Sequence, residues 1–249
     1  MSFVDRAGAT RSHAQDLLER AVLTLAVVGL FVVGYFTVGR SLDPDRARSL
    51  ATPLDGLIPF VASTIWIYLW VFPATLVPVF FVRCRDLFRQ TVLAYAVVIT
   101  ISLACFVAFP VTSLGLRVDP KALDVSRFSP WAVSVVYALD PPFNLFPSLH
   151  LSTATLAACS AWKARRSWGR AMAVGVVLIG VSICTVKQHF IVDGIAGVAL
   201  ASATYAAFMR RYRPEPGTDP AYSWRGPALF LALVLAVYLG LYVTFRRGS

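Results

Sequence analysis

Apolar residues run along this chain in long unbroken blocks, and the polar positions gather in short basic stretches between them. A helix needs about 20 apolar residues to cross a hydrocarbon core of about 30 Å, and blocks of roughly that size predict seven helices. They cover residues 21–39, 58–82, 90–110, 148–162, 171–186, 190–209 and 226–245. The first, Ala21 to Gly39, is too long for a signal-peptide core and lacks a small-residue cleavage site after it, so it reads as an anchored span. The second contains Pro59, Pro73 and Pro78. Each proline removes a backbone donor, so a kinked helix or an interfacial lead-in over 56–63 is expected there. The expected fold class is all-α, a polytopic transmembrane helical bundle of six to seven spans.

Loop charge gives sidedness, because Lys and Arg are retained on the cytoplasmic side. With segment 1–20 inside, the inner loops hold Arg6, Arg11 and Arg20, then Arg83, Arg85 and Arg89, then Lys163, Arg165, Arg166 and Arg170, and finally Arg210, Arg211, Arg213 and Arg225. The outer loops hold fewer. Residues 210–249 then form a cytoplasmic loop and a last span. The longest connection, 111–147, is an outer loop too long for a plain turn, and a loop of that length ordinarily carries function. Within it Trp131 to Leu139 is apolar but too short to cross, so it lies at the interface or re-enters the membrane.

Composition narrows the class. Hydrophobic residues make up 57% and charged residues 14%, against about 25% charged in a soluble domain. An ordinary cytosolic enzyme is excluded. The net charge of +10 lies in the loops between spans, so no nucleic-acid partner is expected. Cys84, Cys105, Cys159 and Cys184 show no C-x-x-C spacing, and neither a metal site nor a disulfide is indicated. Nearly all the basic residues are arginine, a bias of GC-rich genomes, and the expected location is a bacterial inner membrane.

Of the three histidines, His13 sits in the charged N-terminal segment and reads as a surface residue. His150 opens one block in Phe146-Pro147-Ser148-Leu149-His150, and His189 opens another in Lys187-Gln188-His189-Phe190-Ile191-Val192-Asp193. Two crossings separate them, so by parity they return to the same membrane face, the outer one in the orientation above. Asp193 lies four residues after His189 and shares its helical face. A carboxylate holding Nδ1–H leaves Nε2 bare as a nucleophile or base, and His150 can then supply the proton a leaving oxygen needs. Pro147 and Ser148 resemble a helix start, which favours an anion such as phosphate. Arg117 and Lys187 offer the cations. Plainer readings exist: a histidine at a span end is ordinarily an interfacial polar group, and Arg117 and Lys187 can snorkel to headgroups. Asp193 resists such a reading, because an acid near the start of an apolar helix is costly unless paired or functional. Gly194, Gly197 and Ala201 read as close-packing positions.

Pro147-Ser148-Leu149-His150 followed by His189-x-x-x-Asp193, each opening a helix, resembles the type 2 phosphatidic acid phosphatase superfamily, most of all its inositol phosphorylceramide synthase-like branch. The resemblance spans about Phe109 to Gly197. It implies that His189 attacks phosphorus to give a phosphohistidine, that Asp193 orients it, and that His150 protonates the leaving group, with no metal or other cofactor. It also implies a six-helix core with the site at its outer end. The substrate would be a lipid phosphate or phospholipid head group drawn from the bilayer, with an alcohol such as inositol as a possible acceptor. Two departures concern the phosphate clamp of Arg117, Ser148 and Lys187. Pro110 and Val118 stand around Arg117 where the family has a lysine and a proline, and Ser182 is followed by Ile183 where the family has arginine. On this reading residues 1–249 form a single membrane-embedded catalytic domain. The alternative from another class is an ion- or proton-coupled transporter using Asp193, His189 and Lys187. It predicts inverted repeats, and none is evident.

Overall fold

The computed structural model describes residues 13–213 and 224–248, with the two-residue strands Phe3–Val4 and Thr10–Arg11 paired antiparallel ahead of them. Arg6 and residues 214–223 of the last loop lie outside the described residues. The chain is all-α over its described length. The long helices are α1 (His13–Ser41), α6 (Arg85–Ala108), α8 (Leu149–Ala164), α9 (Arg166–Thr185), α10 (Ile191–Phe208) and α11 (Arg225–Gly248). Shorter pieces are α2 (Pro53–Leu57), α3 (Ile65–Tyr68), α4 (Val71–Ala74), α5 (Val77–Phe81) and α7 (Phe128–Leu139). Among the described residues five helices are long and apolar enough to cross a membrane, namely α1, α6, α9, α10 and α11. The chain is an integral, multi-pass membrane protein.

The expected span 58–82 departs most from expectation. Instead of one kinked helix, it is three short helices, α3 to α5, with α2 and a 3-10 turn at Ala62–Thr64 leading in. Pro73 and Pro78 interrupt the backbone ladder, and short-range bonds such as Leu76 to Pro73 at 2.9 Å and Val79 to Leu76 at 2.9 Å take its place. The broken run still passes from end to end of the bundle. At its start the Thr64 and Thr185 hydroxyls bond at 2.7 Å, beside the end of α9. At its finish Arg20 of α1 donates to the Val82 carbonyl at 2.8 Å. The same end is pinned by Glu19, which bonds Arg85 and Arg89.

At the centre stands α8, with 16 residues, about 24 Å at 1.5 Å per residue. Eleven of its residues are buried. Alanine, serine and threonine let α9, α10 and α6 approach its axis closely. Three of its hydroxyls return to its own carbonyls, Ser152 to Ser148 at 2.8 Å, Thr153 to Leu149 at 2.9 Å and Ser160 to Ala157 at 2.8 Å, while the buried Thr155 hydroxyl has no partner among the described residues. Gly197 of α10 meets this helix: a methyl there would come within 2.4 Å of the Ser148 carbonyl oxygen. By contrast, the apolar windows of α1 and α11 are only 6% and 17% buried. Their exposed leucines and valines face lipid, where no burial is needed.

Candidate active site

Ser148 caps α8. Its backbone is extended, its Oγ accepts from the Leu151 amide at 3.3 Å, and its own amide donates to the Asp193 carbonyl at 2.9 Å. The cap thereby ties the start of α8 to the start of α10 and fixes where His150 emerges. His189 reaches the same place through the end of α9. There the Gln188 amide bonds the Ile183 carbonyl at 2.9 Å and the Lys187 amide bonds Cys184 at 3.2 Å, a Schellman closure. Lys187 occupies the left-handed position of that turn, with φ of 59°, where glycine is usual. Its ammonium is held by the Asp55 and Ile58 carbonyls, at 3.2 and 2.5 Å. Asp55 continues the strap by accepting the Ile191 amide, the first of α10, at 2.8 Å. Burial pulls the Asp55 carboxyl up, but hydrogen bonds from Thr52 and the Ile191 amide outweigh it and hold the group below its ordinary value.

Between these two supports the imidazoles meet, with His150 Nδ1 2.9 Å from His189 Nε2. Both rings are buried, and one hydrogen is shared between the two nitrogens. Ser148 Oγ is 3.4 Å from the same His189 Nε2. Behind His189, Asp193 Oδ2 lies 3.4 Å from Nδ1 and accepts the Phe190 amide at 2.9 Å. Asp193 is fully buried. His189 stands just outside α10, before the capping residue Phe190, so the turn into the helix gives this pairing in place of the expected helical i, i+4 spacing, and the Phe190 amide orients the carboxylate.

His150 has a second set of partners that the sequence did not announce. Its Nε2 is 3.1 Å from the Tyr68 hydroxyl, which is also 3.3 Å from Asp140 Oδ2. Tyr35 donates to Asp140 Oδ1 at 2.7 Å. Burial pushes the Asp140 carboxyl up, against the pull of the Tyr35 hydroxyl and of Arg117, whose Nη2 is 3.9 Å away. Arg117 Nη1 donates to the Tyr137 carbonyl at 3.0 Å, its Nη2 to the Asp140 carbonyl at 3.1 Å and to Gln188 Oε1 at 2.6 Å. Guanidinium has only donors, so this contact fixes the Gln188 amide with its oxygen toward Arg117. The buried Gln188 Nε2 has no partner and stands as a donor in reserve.

The structure therefore brings His150, His189, Asp193 and Ser148 into contact and joins Arg117 to them through Gln188. Lys187 does not share this cluster of bonds, because its ammonium is engaged by the carbonyls near α2. Tyr68, Asp140, Tyr35, Gln188 and Asp55 went unread in the sequence. Asp140 alone left a trace, as an acid between an apolar stretch and a Pro-Pro pair. From His150 an apolar cavity of about 240 Å³ runs between α1, α4, α5 and α6, walled by Phe31, Val71, Phe72, Val79 and Tyr95 among others.

The structure is thus a polytopic bundle with two facing imidazoles, one backed by a carboxylate, at the common end of two helices. Residues 37–207 match the sequence profile of the PAP2 superfamily, from the last turn of α1 to the last turn of α10. The chain belongs to the PAP2 superfamily. Membership supports a phosphatase-type activity on a lipid phosphate. No curated protein and no solved structure matches the chain.

Proposed function

We propose that the protein cleaves a phosphate ester of a lipid by covalent catalysis, with His189 as the nucleophile and His150 as the general acid. The observation that carries this reading is the His150–His189 contact at 2.9 Å, backed by Asp193 on one side and opening onto an apolar cavity on the other. With Asp193 on Nδ1–H, Nε2 of His189 keeps its lone pair for phosphorus. The lipid alcohol departs toward His150, at the mouth of the cavity that accepts its chain, and Nδ1 of His150 gives it a proton. Water or an alcohol then takes the phosphoryl group from His189, with His150 removing its proton. Attack needs nitrogen and phosphorus about 3–3.5 Å apart and the acid about 2.6–3.2 Å from the leaving oxygen, so the two rings part to roughly 6 Å when substrate enters. Ser148, the Gln188 amide and Arg117 supply donors to the phosphoryl oxygens. Lys187 contributes by locking the turn that presents His189.

An alcohol acceptor such as inositol is the second reading within this chemistry, carried by the likeness of Pro147-Ser148-Leu149-His150 to the inositol phosphorylceramide synthase-like branch. The ionisable groups gather at one end of the bundle, which favours chemistry over a transport path. The orientation that places this end outside follows the arginines of the opposite loops. The test is phosphate release from long-chain lipid phosphates by purified protein with chelator present. The reading expects turnover that His189→Ala abolishes; undiminished release by that variant would overturn it. Adding inositol and looking for a new phospholipid in place of free phosphate separates transfer from hydrolysis.

A further inference from the structure

An imidazole that protonates a leaving group must first hold a proton on the nitrogen facing it. In this site that nitrogen is Nδ1 of His150, because Nε2 faces Tyr68. The Tyr68 hydroxyl owns one hydrogen and has two neighbours, His150 Nε2 at 3.1 Å and Asp140 Oδ2 at 3.3 Å. It can donate to one and must accept from, or merely face, the other. When Asp140 is an ionised acceptor, Tyr68 donates to it, His150 donates Nε2–H to Tyr68, and Nδ1 is bare. When Asp140 carries a proton, it donates to Tyr68, Tyr68 donates to Nε2, and Nδ1 carries the hydrogen. The protonation of a carboxyl two hydrogen bonds away thus selects whether His150 is an acid or a base.

We propose that Asp140 and Tyr68 form a proton relay with His150, in which Asp140 is the store and Tyr68 the carrier. The inference rests on the phosphohistidine reading above. As the P–O bond to the lipid alcohol breaks, Nδ1–H moves to the departing oxygen. Tyr68 passes its hydrogen to Nε2, and Asp140 passes its hydrogen to Tyr68. His150 begins and ends neutral, and one negative charge appears on Asp140. A buried imidazolium, which is costly without a fixed anion, is never required. When the acceptor attacks the phosphohistidine, its proton goes to Nδ1 and both shifts run backward, so the protons balance over a turnover.

The surroundings of the store fit this role. Facing Asp140 are the Tyr35 hydroxyl from α1, the Tyr68 hydroxyl from α3 and the Arg117 guanidinium from the outer loop. Facing His150 are Tyr68 and His189. Tyr35 already donates to Asp140 Oδ1, and the Arg117 guanidinium, with Nη2 3.9 Å from Oδ2, stabilises the charge that appears there without moving. Burial raises the Asp140 carboxyl, a direction that favours a loaded store. Tyr68 and Asp140 are positioning residues that act through His150.

Leaving groups of different acidity test the relay. A long-chain alkyl phosphate expels a basic alkoxide that must be protonated, whereas 4-nitrophenyl phosphate expels a stable anion that needs little help. In the purified full-length protein Tyr68→Phe should lower kcat/KM for the alkyl phosphate by about 100-fold, within the range of general acid catalysis. For the aryl phosphate the loss should stay within about threefold on the same reasoning. Asp140→Asn should follow the same pattern, and His150→Ala should show it more deeply. Equal losses on both substrates, or an unchanged rate with the alkyl phosphate, would overturn the relay. Thermal unfolding of Tyr68→Phe, which lacks one oxygen atom, keeps a folding defect visible. If His189→Ala is dead while the Tyr68 and Asp140 variants show no dependence on leaving group, the relay alone falls. If His189→Ala retains turnover, the underlying reading falls with it.

Discussion

The two halves of this site are built differently. The half proposed to hold the nucleophile, His189 with Asp193, is local: one helix start with the turn before it, four residues of separation and a backbone amide that orients the carboxylate. The acid half is assembled from distant chain segments: His150 from α8, Tyr68 from the broken run, Asp140 and Arg117 from the outer loop, and Tyr35 from α1. A local pair survives small shifts between helices, because its geometry is internal to one helix start and the turn leading into it. An assembled network depends on the whole bundle holding its register. The halves should therefore answer differently to the same kind of damage.

The largest effect is expected in the local half. His189→Ala should remove at least about 10⁴-fold of turnover, and Asp193→Asn about 10²–10⁴-fold through loss of the tautomer, each with little change in thermal stability. Steady-state kinetics beside a melting curve would show this split. A variant that lost stability in proportion to activity would erase the distinction between the halves.

In the assembled half activity and stability should fall together. Arg117→Ala removes the cation beside the half-buried Asp140 and four hydrogen bonds to Gln188 and to the Tyr137 and Asp140 carbonyls. Leaving a buried polar group without its partner costs about 1–3 kcal/mol, and three acceptors lose theirs here. Arg117→Lys should rescue little, since an ammonium cannot span three acceptors in a planar fork. Denaturant unfolding and turnover measured on the same samples check both statements.

A smaller effect comes from the contact beneath both halves. Gly197→Ala sets a methyl against the Ser148 carbonyl and pushes α10 from α8, at a cost of about 1–3 kcal/mol for overpacking. Because Ser148 caps the helix that carries His150, alkyl phosphate turnover should fall further than the stability loss alone accounts for. The smallest is a pH effect at the strap. Asp55 is held below its ordinary value in the folded protein, so the stability it supplies is present above the unfolded carboxyl range and is lost as pH falls through the lowered value. Asp55→Asn should lower the melting temperature slightly at neutral pH and flatten its decline on acidification. Melting curves at pH 7 and pH 3 provide the comparison.

The same contrast explains what could be read from residues alone. Apolar blocks gave the long helices to within about five residues, except that α1 begins at His13, eight residues before its block, and four-residue spacing gave the His189–Asp193 pair although His189 lies in the turn before α10. Blocks and spacing are both properties of contiguous chain. Parity placed His150 and His189 at one end, which follows from counting passages. Tyr68 was invisible: it lies in an apolar block broken by prolines, and a tyrosine there looks like any interfacial aromatic. Its importance comes from α4 and α5 packing on α8, a tertiary fact. Lys187 was read for its charge, whereas the structure gives that charge to backbone carbonyls and its φ of 59° to a turn. Gln188, neutral and unremarked between Lys187 and His189, turns out to bond Arg117 of the 111–147 loop next to His189.

The central claim is a covalent bond between phosphorus and His189. Mixing the protein with a radiolabelled lipid phosphate, quenching within milliseconds and mapping the label tests it most directly. The account predicts label on His189, labile to acid and stable to base, absent from His189→Ala and accumulating in His150→Ala when an aryl phosphate feeds the first step. Label on another residue, or turnover with no phosphorylated protein at any quench time, would contradict it.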